Sequence, residues 1–343
     1  MLAPHHKHKD QHKAQPKTLH KNQPGRHQPR HILTLLDVSA QEILDILKFA
    51  ETIKKNPQKY GNSLKNKTLT MIFQKNSTRT RLSFEAGMTQ LGGHAIFLDW
   101  RTTQLGIASL EDEGRVISHM SDIIMARLLK HADLVKIAEN SRVPVINGLC
   151  EKFHPCQSLG DLLTMKEKLA EQKRTLKGAT VTYVGIANNV SNTLVVACTQ
   201  AGMRVVLCTP EVDPLSQDYH LDRYFIDAKK KGLLVVETDL KKAVKDADFV
   251  YTDTWVNMEF FTDPSFAKEK ARRLKIFMPY AITSRVLSWC KKDVMVMHDM
   301  PIHHGYEMTK EVVEGPHSII FDQAENRLHI EKAIMVWLLA KSS

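Results

Sequence analysis

The chain has 343 residues, 43% hydrophobic and 25% charged, a globular composition too long for one ordinary core, so two domains are expected. Its net charge of +10 is lopsided, because residues 1–31 hold seven Lys or Arg against one Asp and the other 312 residues carry only +4. That excludes the basic balance of a nucleic-acid-binding domain, and no run reaches the ~18–20 apolar residues that span a bilayer.

Taken in order, residues 1–30 form a His/Lys-rich tail without apolar periodicity, expected to be disordered. Its polar character leaves no room for a secretory apolar core. Five scattered cysteines fit a reducing compartment better than a disulfide framework, and a cytoplasmic protein is expected. Order begins near His31. Ser39 with Glu42 three residues later has the form of a capping box, and Ile43, Ile46, Leu47 and Ala50 continue a helical stripe.

Leu69–Phe73 reads as a buried strand, and Leu82, Ala86 and Leu91 mark the apolar stripe of the helix after it. A strand at His94–Leu98, a loop from Asp99 to Leu110 and a helix at Glu111–Met120 follow. Strands at Asp122–Arg127 and Val143–Asn147 and a long helix at Gln157–Leu169 complete the first half. The charged break Lys173–Gly178 separates the halves. The second half repeats the alternation with strands at Thr180–Val184, Arg204–Leu207, Leu233–Glu237, Phe249–Thr252, Leu274–Met278 and Val294–Met297. A helix at Asn192–Ala201 follows its first strand. A last helix, Ala324–Leu339, is long enough to pack back across the junction. The expected fold is α/β: two domains, each a parallel sheet flanked by helices, with the C-terminal helix returning to the first. The divisions are 1–30 for the tail, 31–174, 175–322, and 323–343 for the returning helix.

Open parallel sheets bind ligands beyond the carboxyl ends of their strands. The polar residues in such places are Ser77–Arg81, Arg127, the Asn147–Gln157 loop, Asn188–Asn189, Asp253–Glu259 and His298–Pro301. Ser77, Thr78, Arg79 and Thr80 sit where a strand turns into a helix N-terminus, so free N–H groups, hydroxyls and a guanidinium converge on an anion. A capped helix with a salt-bridged surface is the competing reading. Cys150, His154 and Cys156 lack a fourth ligand at zinc spacing. Gly185-Ile186-Ala187-Asn188-Asn189 is not a dinucleotide fingerprint. No metal or organic cofactor is expected.

The S-T-R-T-R turn, His154-Pro155-Cys156-Gln157, the Asn188–Asn189 pair, and His298-x-x-Pro301 followed by Gly305-x-Glu307 together resemble the aspartate/ornithine carbamoyltransferase family, from about His31 to Leu339. Thr103-Gln104-Leu105-Gly106, Asp253-Thr254-Trp255 and Glu325–His329 resemble its ornithine branch. The resemblance implies carbamoyl transfer from carbamoyl phosphate to the δ-amino group of L-ornithine, giving citrulline. It implies that Ser77, Thr78, Arg79 and Thr80 hold the phosphate, with Gln104 reaching it from a neighbouring subunit of a homotrimer, or a multiple of one, with shared active sites. Arg127, His154 and Gln157 would bind the carbamoyl group, Arg127 and His154 polarising its carbonyl. Arg327 would add a cation, and the Met300 carbonyl would orient an amine. Asn189, Asp253, Asn257, Met258 and Asp299 would receive ornithine. Two positions depart from the branch: His298-Asp299-Met300-Pro301 replaces H-C-L-P, and Asn257-Met258-Glu259 replaces S-M-G. Asp299 puts a carboxylate beside the nucleophile, able to bind an ammonium and take its proton, which keeps putrescine or an N-acyl-ornithine as rival acceptors. Two alternatives of other classes remain: a catalytically idle anion-binding relative, and a protein that binds nucleic acid or another surface through its basic tail.

Overall fold

The computed structural model describes residues 29–256 and 261–341. Of the tail, therefore, only its last two residues are described, and Asn257 and Met258 lie outside the described residues. Arg30, grouped above with the tail, is anchored: its guanidinium pairs with Glu42 at 2.7 Å and lies 5.0 Å from the Trp337 ring centroid.

Among the described residues, nine strands form two sheets, both parallel throughout. Strands β1 (Thr68–Phe73), β2 (His94–Asp99), β3 (Ile123–Arg127) and β4 (Val145–Leu149) lie in the order β2-β1-β3-β4. Strands β5 (Thr180–Ala187), β6 (Arg204–Val212), β7 (Leu234–Val236), β8 (Phe249–Thr252) and β9 (Met295–His298) lie in the order β7-β6-β5-β8-β9. Side chains alternate between the faces, as the pleat requires. Leu69, Met71 and Ile123 enter one apolar cluster, while Ile72, Ile124 and Val145 enter another. Both faces are covered, as expected for parallel sheets. The first cluster also takes in Val181, Tyr183, Phe249 and Tyr251 of the second sheet, so one core runs between the halves.

The first helix, α1 (Ala40–Lys55), begins with the expected capping box: Ser39 Oγ accepts from Glu42 N at 3.3 Å, and Glu42 accepts from Ser39 N at 3.0 Å. Helix α2 (Thr78–Gln90) buries Ser83, Phe84, Gly87 and Met88, while Leu82 is 62% exposed. The expected stripe through Leu82 is thus displaced by one residue. The expected strand at Leu274–Met278 is instead the end of a helix, Ala267–Phe277. Five residues with four apolar side chains fit either period; here Glu269 pairs with Arg272 and Arg273 one turn on and stabilises the helix.

The long helix α3 (Pro155–Glu171) starts at a proline, whose fixed φ suits the first turn. Helix α4 (Asn189–Gln200) follows β5, and the last helix, α5 (Ile320–Lys341), starts four residues before its expected position. Helix α5 buries Ile330, Ala333, Ile334, Met335 and Leu338. At about 1.5–3 kcal/mol for each large side chain, that burial fixes it as part of the core. It packs closely on the first half: a Cβ on Gly87 of α2 would meet Lys332 Cγ at 3.2 Å and Met335 Cε at 3.3 Å. Among the described residues, no helix is long and apolar enough to cross a membrane.

Each sheet reverses strand order once, between β1 and β3 and between β5 and β8. These reversals open crevices at the strands' carboxyl ends. The first crevice holds the Ser77 turn and Arg127; the second holds Asn188 and Asp253.

Candidate active site

At the first crevice, Ser77 caps α2, its hydroxyl accepting from Thr80 N at 3.3 Å. Phe73 pairs in register with Arg127, which brings the end of β3 beside this turn. Thr80, 1% exposed, is where the cations meet. Its Oγ1 accepts from Arg127 Nη1 at 3.4 Å and from Arg327 Nη2, on α5, at 3.2 Å. Arg79 is half-buried in the same turn, and burial lowers its guanidinium below the usual range. Arg327 is held from behind by Glu331 at 2.8 Å, and burial pushes that carboxyl up to about 7. Three guanidiniums gathered at a helix N-terminus suit a doubly charged phosphate.

His154 precedes α3. Its backbone N–H donates to Thr193 Oγ1 of α4 at 2.9 Å, while its Nδ1 is buried without a hydrogen-bond partner among the described residues. Burial, with Arg327, Arg127 and Arg79 adding to it, holds the imidazole well below its usual pKa. A neutral ring in that setting offers a hydrogen bond to a polarised carbonyl oxygen without carrying charge itself. One helical turn into α3, Gln157 accepts from Arg327 Nη1 at 2.5 Å and donates to Asp161 Oδ1 at 2.8 Å. Cys150 and Cys156 are buried thiols, pushed by burial to about 12 in the case of Cys150 and higher in that of Cys156, so neither is a ready thiolate ligand.

The second crevice is acidic. Of the Asn188–Asn189 pair, Asn189, expected to contact the substrate, donates its amide to Cys150 O at 2.7 Å. It is Asn188 that donates to Asp253 Oδ2, at 2.6 Å, while capping α4. Asp253 Oδ1 in turn accepts from Thr254 N at 2.6 Å. Register pairing of Thr252 with His298 sets the end of β9 alongside. Asp299 follows, its Oδ1 without a hydrogen-bond partner among the described residues and 3.6 Å from His298 Nδ1. Burial, then the neighbouring Asp253, raises the Asp299 carboxyl well above the usual range. Single atoms of Asp253, His298 and Asp299 lie within 4.8 Å of one another, a spacing open to a cation. His298 Nδ1, however, already accepts from Met300 N at 2.8 Å. Met300 itself adopts φ 61°, a left-handed backbone costly for a residue with a Cβ.

Residues 30–167 match the sequence model for the carbamoyl-P binding domain of aspartate/ornithine carbamoyltransferase, and residues 177–338 match the one for its Asp/Orn binding domain. The chain belongs to the aspartate/ornithine carbamoyltransferase family. It is 43% identical to the ornithine carbamoyltransferase of Archaeoglobus fulgidus, over 92% of this chain and 99% of that one. Its fold superposes on the ornithine carbamoyltransferase of Pyrococcus furiosus with a TM-score of 0.81 at 42% identity, covering 90% of this chain and 96% of that one. The enzyme from Giardia lamblia gives 0.80 at 33% identity, over 91% and 99%.

Within this carbamoyltransferase architecture, the arginines, His154 and Gln157 line one crevice and Asn188, Asp253 and Asp299 the other. Gln104 is exposed on a 3-10 turn, Gln104–Gly106, and none of the hydrogen bonds among the described residues joins it to the Ser77 turn. Sequence reasoning did not find Asp161, Gln323 and Glu331. Each lies inside a helix, where an acid or amide ordinarily faces solvent, and no strand end or turn marks it.

Proposed function

We propose that the chain transfers the carbamoyl group of carbamoyl phosphate to the δ-amino group of L-ornithine, giving L-citrulline and phosphate. The observation that carries this reading is the meeting of Arg127 and Arg327 on Thr80, opposite a crevice built from Asp253 and Asp299. A cationic pocket for a phosphoryl donor thus faces an anionic pocket for an amine. In this reading Ser77, Thr78, Arg79 and Thr80 bind the phosphate, and Arg127, His154, Gln157 and Arg327 surround the carbamoyl group. Asn189, Asp253, Asn257, Met258 and Asp299 receive the amino acid, and Met300 orients the amine through its carbonyl. We add Asn188 because its amide orients Asp253.

The ornithine ammonium gives one proton to Asp299, whose raised pKa makes its ionised form a competent base. The free amine attacks the carbonyl carbon, and Arg127 and neutral His154 stabilise the oxyanion as the C–N bond forms. Collapse breaks the bond to the phosphate oxygen, and the second amine proton leaves with the phosphate. In this division residues 31–174 hold the donor, residues 175–322 hold the acceptor, and the 323–343 helix brings Arg327 to the donor. An exposed Gln104 fits a role in a neighbouring subunit's site, and we propose a homotrimer or a multiple of one. Five free cysteines suit a cytoplasmic setting.

The test is an acceptor screen with carbamoyl phosphate against ornithine, putrescine, aspartate, N-acetylornithine and N-succinylornithine. Preferred turnover of ornithine is the expected result, and preference for any other amine would reassign the pocket around Asp299.

A further inference from the structure

Asp161 is 0% exposed and sits one helical turn beyond Gln157 on α3. Its Oδ1 accepts two glutamine amides, Gln157 Nε2 at 2.8 Å and Gln323 Nε2, from the first turn of α5, at 2.7 Å. Because this one oxygen accepts both bonds, both glutamines present their NH2 groups to Asp161. Each glutamine carbonyl is thereby turned outward, in opposite directions. Gln157 Oε1 meets Arg327 Nη1 at 2.5 Å, and Arg327 in turn reaches Thr80. Gln323 Oε1 accepts from His298 N at 2.9 Å, and His298 Nδ1 fixes Met300 N beside Asp299. The line from Thr80 to Met300 is unbroken. Gln157, Asp161, Gln323, His298 and Arg327 are each no more than 3% exposed, so solvent cannot replace a lost member.

We propose that Asp161 and Gln323 are positioning residues that set the donor and acceptor pockets in one register. Asp161 dictates which end of each glutamine faces which pocket, and Gln323 passes that orientation to the backbone carrying Asp299. The inference rests on the pocket roles proposed above. A wild-type protein that forms no citrulline from carbamoyl phosphate and ornithine overturns those roles and this inference together. With an active wild type, the variants test the register alone.

Gln323→Met removes both glutamine hydrogen bonds on the acceptor side. KM for ornithine should rise about tenfold or more while KM for carbamoyl phosphate stays within about twofold. Gln323→Glu, close in shape, keeps an acceptor for His298 N but sets a carboxylate against Asp161, and the same split is expected. Adding Asp161→Asn supplies a donor toward Glu at 323. The D161N/Q323E pair should bring KM for ornithine back to within about threefold of wild type. A network that only supports the fold would shift both KM values together, or lower the melting temperature and leave both unchanged. Either result, or failure of the double variant to recover, overturns the proposal.

Discussion

Thr80 is a small residue that receives Arg127 and Arg327 from two separate elements, and Arg79 stands next to it in the turn. Removing that neighbour by Arg79→Ala should lower kcat/KM for carbamoyl phosphate by about 10²–10³-fold, the usual cost of one preorganised donor; near-normal steady-state kinetics would take Arg79 out of the site. Asp299→Cys should move the acidic limb of the pH profile of kcat/KM for ornithine and leave KM for carbamoyl phosphate within about twofold. An unchanged profile would place Asp299 outside the amine pocket. Arg79, Thr80, Arg127 and Asp299 were legible because each follows a strand or opens a helix, where a side chain is free to face a ligand, whereas Arg327, inside α5, came only through the family resemblance. Asp161 and Glu331 were not, because a carboxylate inside a helical repeat carries no mark of burial. Only the packing of α5 against α3 shows which face of each helix is closed.

At the scale of elements, local chemistry was the reliable guide. The Ser39–Glu42 box placed the start of α1 correctly, since two backbone donors are satisfied reciprocally there. Ser39→Ala should cost about 1 kcal/mol of stability in urea unfolding, and a change below a few tenths would mean that the Arg30–Glu42 pair holds the helix start by itself. Strand β8 was read to the residue, as Phe249–Thr252, because a short apolar run bounded by polar residues and buried on both faces has few alternatives. The same rule failed at Leu274–Met278, where the apolar run was the tail of a helix whose earlier turns are charged. Helices His131–Glu139 and Tyr219–Lys230 were not expected, although Leu134, Ile137 and Ala138 in the first and Leu221 and Ala228 in the second are buried at helical spacing.

Across the whole molecule, the buried acids set a pH signature. Burial raises Asp161 to about 7 in the folded chain, against about 4 in an unfolded one. The folded state therefore holds the extra proton between those values, and the contribution present below about 4 is lost as pH rises through about 7. His298, lowered by burial to about 4, works in the opposite sense: its contribution is present above about 6.5 and lost as pH falls through about 4. Comparing Asp161→Asn with wild type cancels His298. The difference in unfolding free energy should move in favour of the variant by about 1–3 kcal/mol between pH 5 and pH 8, and a pH-independent difference in urea melts would show that Asp161 does not titrate in that window. A different consequence follows from the reach of α5, whose Arg327 meets Thr80 across 247 residues of chain. During synthesis the Ser77 turn leaves the ribosome long before its distant guanidinium exists. Until α5 emerges, the nascent chain has an incomplete anion cradle, so cellular phosphate gives the half-made protein little ligand stabilisation, and any such contribution to folding arrives only once α5 has been made.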